Sequence, residues 1–137
     1  MKTFFPYSTL KQGYPLHFYL NGSRLINTRF VTPQAEWDLY SLGAFPGMKH
    51  VGDGGYKIAG ELYEIPDGLV PILDAVEGLL FERRLLPPSL PKPEVSYYEY
   101  LHSAGDPIES KDGIKEWLGD GTTTRLQEGQ IRWMVGA

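Results

Sequence analysis

Residues 56–78 read Tyr56-Lys57-Ile58-Ala59-Gly60-Glu61-Leu62-Tyr63-Glu64-Ile65-Pro66-Asp67-Gly68-Leu69-Val70-Pro71-Ile72-Leu73-Asp74-Ala75-Val76-Glu77-Gly78. The two halves of this stretch carry different periods. In the first, Tyr56, Ile58, Gly60 and Leu62 alternate with Lys57, Ala59, Glu61 and Tyr63. That two-residue period predicts a strand from Tyr56 to Ile65. In the second, Leu69, Ile72, Leu73, Val76 and Leu80 follow the i, i+3, i+4 spacing of an apolar helical stripe. Asp67 is placed to cap the start of that helix. Pro71 is acceptable because it falls in or near the first turn. Gly78 ends the helix.

Outward from this strand-to-helix unit, sixteen glycines and eleven prolines punctuate the chain, a density that favours many short strands over long helices. Upstream, a strand is expected from Lys2 to Tyr7, then a loop from Ser8 to Pro15. One or two helical turns follow over Leu16 to Leu20, closed by Asn21-Gly22. Further strands are expected over Ser23 to Thr32 and Trp37 to Ser41, and Asp53-Gly54-Gly55 signals a tight hairpin. Downstream, the proline-rich Leu85 to Val95 reads as a stiff connector. A tyrosine-rich strand is expected over Val95 to Leu101, a short helix around Ile114, Trp117 and Leu118, and a last strand over Ile131 to Val135. The tail after the connector is too short to fold alone, so residues 1–137 are read as one domain.

Composition narrows the function. Hydrophobic residues make up 42% and charged residues 22% of the chain, enough for a packed core. Thirteen Lys and Arg against seventeen Asp and Glu give a net charge of −4, which argues against sequence-blind binding of nucleic acid. The absence of cysteine removes a disulfide framework, a Cys-ligated zinc and a thiol nucleophile, and fits a cytoplasmic location. No stretch approaches the roughly 18 uninterrupted apolar residues of a membrane span, so no membrane partner is expected. His17, His50 and His102 are far apart, and none has a partner at the spacing of a helical zinc pair. Gly-x-Ser-x-Gly, P-loop and dinucleotide fingerprints are missing.

Two places carry chemistry. Glu77 projects within about one-ninth of a turn of Leu73, at the edge of the apolar stripe. It also sits at the C-terminal end of the helix, where the dipole disfavours a second negative charge. Partial burial acts in the same direction. Both effects raise its pKa toward the range of a general acid or base at neutral pH. The competing reading is a rim glutamate paired with Arg83 or Arg84. The second place is the turn Tyr7-Ser8-Thr9-Leu10, which can aim several backbone N–H groups at a carboxylate or oxyanion. Its competing reading is a plain Ser/Thr turn.

Taken together, the chain resembles the γ-glutamylcyclotransferase-like family, including its AIG2-like branch. The matching pieces are, in order, Tyr7-Ser8-Thr9-Leu10-Lys11-Gln12-Gly13, His17 with Leu20, Phe45-Pro46, Gly60-Glu61-Leu62-Tyr63, Leu73-Asp74-Ala75-Val76-Glu77-Gly78, and Phe81 with Arg83. They run from about Phe4 to Arg84, and the Tyr-rich strand fits more loosely. The resemblance implies an α+β fold, a small mixed β-barrel with flanking short helices. It implies release of 5-oxoproline from a γ-glutamyl amine or peptide, an acyltransferase or lyase chemistry. Glu77 would be the catalytic acid/base, and the backbone of Tyr7, Ser8, Thr9 and Leu10 would hold the substrate carboxylate. The partner is then a small γ-glutamyl molecule, with no metal or organic cofactor.

Three positions depart from the family pattern. Ser8 stands for a Gly, Leu16 for the Asn before His17, and Phe81 near a Tyr of active relatives, so Tyr97 or Tyr98 would have to supply that hydroxyl. These departures keep a second reading open: a catalytically altered member that binds or sequesters a small molecule in the barrel pocket. A third reading is a scaffold whose Trp117 and Trp133 mark an interface.

Overall fold

The computed structural model describes residues 1–87, 94–103 and 105–119. The strand predicted from the central stretch is β5 (Lys57–Ile65), the longest of nine strands among the described residues. Its alternation does not produce one wet face. From Ile58 to Tyr63 every residue is buried. Ile58 and Leu62 face one apolar cluster with Trp37, Leu39, Met48, Phe5 and Tyr97, whereas Tyr63 and Ile65 face another with Phe4, Leu10, Leu20, Leu73 and Tyr98. A strand covered on both sides loses the polar face that alternation implies.

The remaining strands build outward from β5: β1 (Lys2–Phe4), β2 (Arg24–Val31), β3 (Trp37–Ser41), β4 (Pro46–His50), β6 (Phe81–Leu85), β7 (Val95–Tyr100), β8 (Asp106–Pro107) and β9 (Ile114–Glu116). The sheet runs β2-β5-β1-β7-β4-β3-β8, with β6 on β7 and β9 on β5. Antiparallel pairs, including β1 with β5 and β2 with β5, mix with parallel ones, including β1 with β7 and β4 with β7. Trp37 on β3 bridges back to Tyr56 beside β5, with N–H···O distances of 3.1 and 2.6 Å in the two directions. That bridge curls the sheet into a half-barrel around the first cluster. The architecture is α+β, with one short α-helix and several 3-10 turns among the described residues.

Several local expectations are corrected. β1 ends at Phe4, because Pro6 has no N–H to continue a ladder. Phe5 still donates to the Ser96 carbonyl (2.9 Å), and the Pro6 carbonyl accepts from Glu61 (3.0 Å). The turn at Asp53-Gly54-Gly55 is present, but β4 and β5 on either side of it do not pair with each other. The true hairpin joins β3 to β4, a strand the sequence reading left out, through residues 42–45. β6 was likewise not anticipated; its ladder with β7 spans Phe81↔Tyr100 to Leu85↔Ser96. The helix expected near Ile114 is instead strand β9, because Lys57, Ile58 and Ala59 offer it a parallel edge. Trp117 is 1% exposed and its ring packs, tilted, 5.0 Å from that of Tyr14, so it is core and not interface. Trp133 and the expected strand Ile131 to Val135 lie outside the described residues.

The helix α1 spans Val70–Glu77, preceded by a 3-10 turn at Asp67–Leu69 and followed by another at Gly78–Leu80. Asp67 is not its cap. The cap position falls on Leu69, without a side-chain hydrogen bond, and the Asp67 carboxylate pairs with the amino group of Met1 at 2.9 Å. Pro71 sits in the first turn as expected. Of the predicted stripe, Leu73 is buried, but Ile72 and Leu80 are 50% and 41% exposed. An eight-residue helix lying on a sheet covers only one row of its own side chains. No helix among the described residues is long and apolar enough to cross a membrane.

Candidate active site

The site forms where three chain reversals meet at one end of the half-barrel. The first is the loop after β1. Lys11 N–H returns to the Ser8 carbonyl (3.1 Å) and Leu16 N–H to the Thr9 carbonyl (3.0 Å). Two further bonds fix this loop from outside. The buried Glu61 carboxylate accepts the Gln12 N–H (2.9 Å) and the Tyr63 hydroxyl (2.8 Å), and His17 Nδ1 donates to the Leu10 carbonyl (2.9 Å). The backbone N–H groups of Ser8, Thr9 and Leu10 are left without an acceptor among the described residues. Ser8 takes the place of a glycine without strain, since Asp112 alone among the described non-glycine residues has a positive φ.

The second reversal is the β3–β4 turn, which contributes Ala44 and Phe45. The third is the end of α1, which contributes Val76 and Glu77, and after it Leu80 and Phe81. With Ser8, Thr9, Pro15 and Leu16 these residues line a cavity of about 320 Å³.

Glu77 is the only acidic or basic side chain among these lining residues. Burial lifts its pKa from 4.5 to about 7. It makes no hydrogen bond or ion pair among the described residues. The ion-pair alternative fails on geometry. Arg83 is held by Asp74, with Nε 3.0 Å from Oδ1, and Arg84 lies 3.0 Å from Glu82 and 3.6 Å from Glu99.

Asp74, one turn earlier on α1, anchors the helix to the sheet. It accepts both the Arg83 guanidinium and the Tyr98 hydroxyl (2.7 Å). Burial alone would raise its carboxyl, but these bonds and the charge of Arg83 outweigh that and hold it below the usual range.

The side chains of the other expected site residues point away from the cavity or lie outside its lining. Tyr7 is buried, and its hydroxyl donates to the Tyr98 carbonyl (2.6 Å) and accepts the Met48 N–H (3.1 Å). Burial first, and then the charge of Glu77, push its phenol well above the ordinary value. Leu10 is 1% exposed in the second core cluster. Tyr97 donates to Glu99 (2.7 Å) and accepts from Trp37 (3.2 Å), and Tyr98 is committed to Asp74. None of these four side chains lines the cavity, so neither Tyr97 nor Tyr98 replaces the hydroxyl that Phe81 lacks.

Ser8, Thr9, Glu77 and Phe81 do come together. Pro15 and Ala44 had no signal of their own in the sequence. Phe45 did, as the aromatic residue before Pro46. Among the described residues no group of three or more His, Cys, Asp or Glu side chains converges as metal ligands would.

A family model described as gamma-glutamyl cyclotransferase, AIG2-like, matches residues 4–118, well over half of the chain. The chain belongs to that family. No curated protein matches it. Among solved structures, an AIG2-like protein from Mus musculus is 20% identical, covers 85% of this chain and 95% of its own, and superposes with a TM-score of 0.66. An uncharacterized protein from Pyrococcus horikoshii is 22% identical, with coverages of 79% and 86% and a TM-score of 0.65. The protein ytfP from Escherichia coli is 25% identical, with coverages of 82% and 94% and a TM-score of 0.60. These likenesses establish the γ-glutamyl cyclotransferase-like fold. Family membership accords with the order of motifs from the β1 loop to the end of α1.

Proposed function

We propose that this family member is a γ-glutamyl cyclotransferase that releases 5-oxoproline from a γ-glutamyl amine or peptide. The observation that carries the reading is the unpaired Glu77, with a pKa raised to about 7, in the same cavity as the open backbone N–H groups of Ser8 and Thr9. The loop N–H groups hold the substrate α-carboxylate. The Glu77 carboxylate takes a proton from the substrate's α-ammonium group. The freed amine attacks the side-chain carbonyl carbon, and a new C–N bond closes the five-membered ring. The ring nitrogen releases its second proton to solvent, and as the original C–N bond breaks Glu77 returns the first to the departing amine. No water, oxidant or second substrate is consumed. Because the attack is intramolecular, positioning supplies much of the acceleration. A group near pKa 7 is suited to taking and returning the same proton at neutral pH.

The first experiment incubates the protein with γ-glutamyl amino acids, γ-glutamyl amines and glutathione, and reads 5-oxoproline by mass spectrometry. The expected outcome is release from part of the panel, lost by at least about 100-fold in Glu77→Gln with the fold intact. Undiminished turnover in that variant would refute the role given to Glu77.

Phe81 favours a second reading. Its ring lines the cavity and leaves Ser8 and Thr9 as the hydroxyl-bearing side chains there. A folded protein that binds a γ-glutamyl compound and returns it unchanged would be a ligand-binding member of the family.

A further inference from the structure

A sheet that does not close leaves strand edges, and the edges of this one are not alike. β2 ends one side of the sheet, but two register shifts break its ladder with β5, and such bulges spoil an edge for further pairing. β8 and β9, at two and three residues, are too short to offer a ladder. β6 differs. Its five residues pair with β7 in unbroken register, and among the described residues no strand pairs on its other side.

The phase of the β6–β7 ladder fixes which groups face outward. Leu86 N–H donates to the Val95 carbonyl (2.7 Å), and Leu101 N–H to the Leu80 carbonyl (3.0 Å). In an antiparallel ladder such bonded pairs alternate with unbonded ones. Glu82 and Arg84, at even steps between Leu80 and Leu86, therefore turn their peptide groups toward β7. Phe81, Arg83 and Leu85 turn theirs to the open edge, where they meet no partner among the described residues. Side chains alternate as well. Phe81 and Arg83 lie on the α1 face, where Phe81 lines the cavity and Arg83 bonds Asp74. Glu82 and Arg84 lie on the other face, 3.0 Å from each other, with Arg84 3.6 Å from Glu99.

An antiparallel strand added to this edge must set its own outward-turned residues against Phe81, Arg83 and Leu85. The same segment of a second copy does so with the greatest overlap when the two Arg83 residues meet on a two-fold axis. Phe81 then faces Leu85 of the second copy, and Glu82 faces Arg84. The opposed charges fall on unbonded pairs, where side chains approach most closely. The two arginines at the axis are each held by their own Asp74 at 3.0 Å. Leu85, 52% exposed, gains an apolar neighbour.

We infer that the free edge of β6 is a docking surface for a second copy of this chain. The copies join antiparallel through residues 81–85, with Glu82 of each against Arg84 of the other. Phe81 is also a wall of the cavity, so Leu85 of the second copy stands beside that wall. Five residues a side are few against the roughly 20–30 of a standard interface, so the dimer is weak, with a Kd on the order of 10 µM.

Sedimentation velocity of the full chain over about 1–200 µM tests this, and monomer should pass to dimer across that range. Glu82→Arg sets arginines against each other in both charged pairs and should weaken dimerisation at least about tenfold. Leu85→Pro removes an outward-turned N–H while leaving the bonds to β7 whole, and should weaken it as much. Glu82→Arg combined with Arg84→Glu opposes the charges again and should bring Kd back to within about threefold of wild type. Circular dichroism identifies which variants keep the fold. A wild-type protein that stays monomeric throughout would overturn the inference, whatever else covers the edge. So would undiminished dimerisation in either folded single variant, or a loss in Glu82→Arg that the folded double variant does not recover.

Discussion

The proposed mechanism concentrates its chemistry in the Glu77 carboxyl group, and the burial of that group has a measurable cost. Its pKa is about 7 in the fold, against an ordinary value of 4.5 that stands for the unfolded chain. Between those two values the unfolded chain gives up this proton while the folded one keeps it, so stability falls as pH rises from about 4.5 to about 7 and then levels. Glu77→Gln removes that dependence. The variant is expected to be more stable than wild type at pH 8, by on the order of 2–3 kcal/mol, and about equal at pH 4. Urea titrations at the two pH values check this, and an equal difference at both would contradict the raised pKa of Glu77. The same ionisation predicts that kcat/KM rises with pH through a midpoint near 7. Residue-level reasoning in the sequence located Glu77 because helical spacing put it at the stripe edge. Tyr97 and Tyr98 stand outside the cavity lining, with their hydroxyls bonded to Glu99 and Asp74, and neither bond has a signature along the chain.

At the scale of elements, α1 matters for where it stops. Gly78 follows Glu77 with φ 72° and ψ −159°, and its N–H returns to the Asp74 carbonyl. Side-chain-bearing residues essentially do not adopt that conformation. A Cβ at Gly78 would meet nothing within 4 Å, so the obstacle is conformation and not space. Gly78→Ala is expected to destabilise the protein by about 1–3 kcal/mol. It should also displace Glu77, and with it lower 5-oxoproline release. Gly68 is the control: it too has open space around a Cβ, but its φ is not positive. Gly68→Ala should be neutral or stabilise by up to about 1 kcal/mol. Thermal melts of the two variants separate these outcomes, and equal losses would show that the turn conformation is not the constraint. The position of this helix end was legible from the glycine itself. The start was not, because the Asp67 carboxylate is taken by the amino group of Met1, a contact just beyond the paired ends of β1 and β5.

For the whole molecule, the curl of the sheet brings three reversals to one cavity. The tightest approach is at Gly60 in β5. A Cβ there would lie 2.5 Å from the Pro6 carbonyl oxygen and 2.8 Å from the Phe5 ring. The first contact is with backbone that also accepts the Glu61 N–H, so it cannot yield cheaply. Gly60→Ala is expected to cost about 3 kcal/mol and to disturb the loop after β1, because Glu61 next to it holds Gln12. A denaturant midpoint unchanged from wild type would show that β1 and β5 are packed less closely. Here close packing and the open N–H groups of Ser8 to Leu10 depend on the same pair of strands.

The sequence alone determined the elements whose signals are local. Period two marked β5, period 3.6 with a terminal glycine marked α1, and the spacing of the motifs from Tyr7 to Arg83 marked the family. Helical spacing also put Glu77 at the edge of the stripe, while its role as acid/base came from the resemblance to the family. Tertiary structure decided what depends on partners. β4, β6 and β9 are strands because neighbouring edges were open to them, and five residues or fewer carry too little periodicity to declare that beforehand. The cavity wall of Pro15, Leu16, Ala44, Phe45 and Leu80 draws on separate loops and turns. Only the curled sheet makes those residues neighbours, and only their shared burial raises the Glu77 carboxyl to a pKa at which it can take and return a proton.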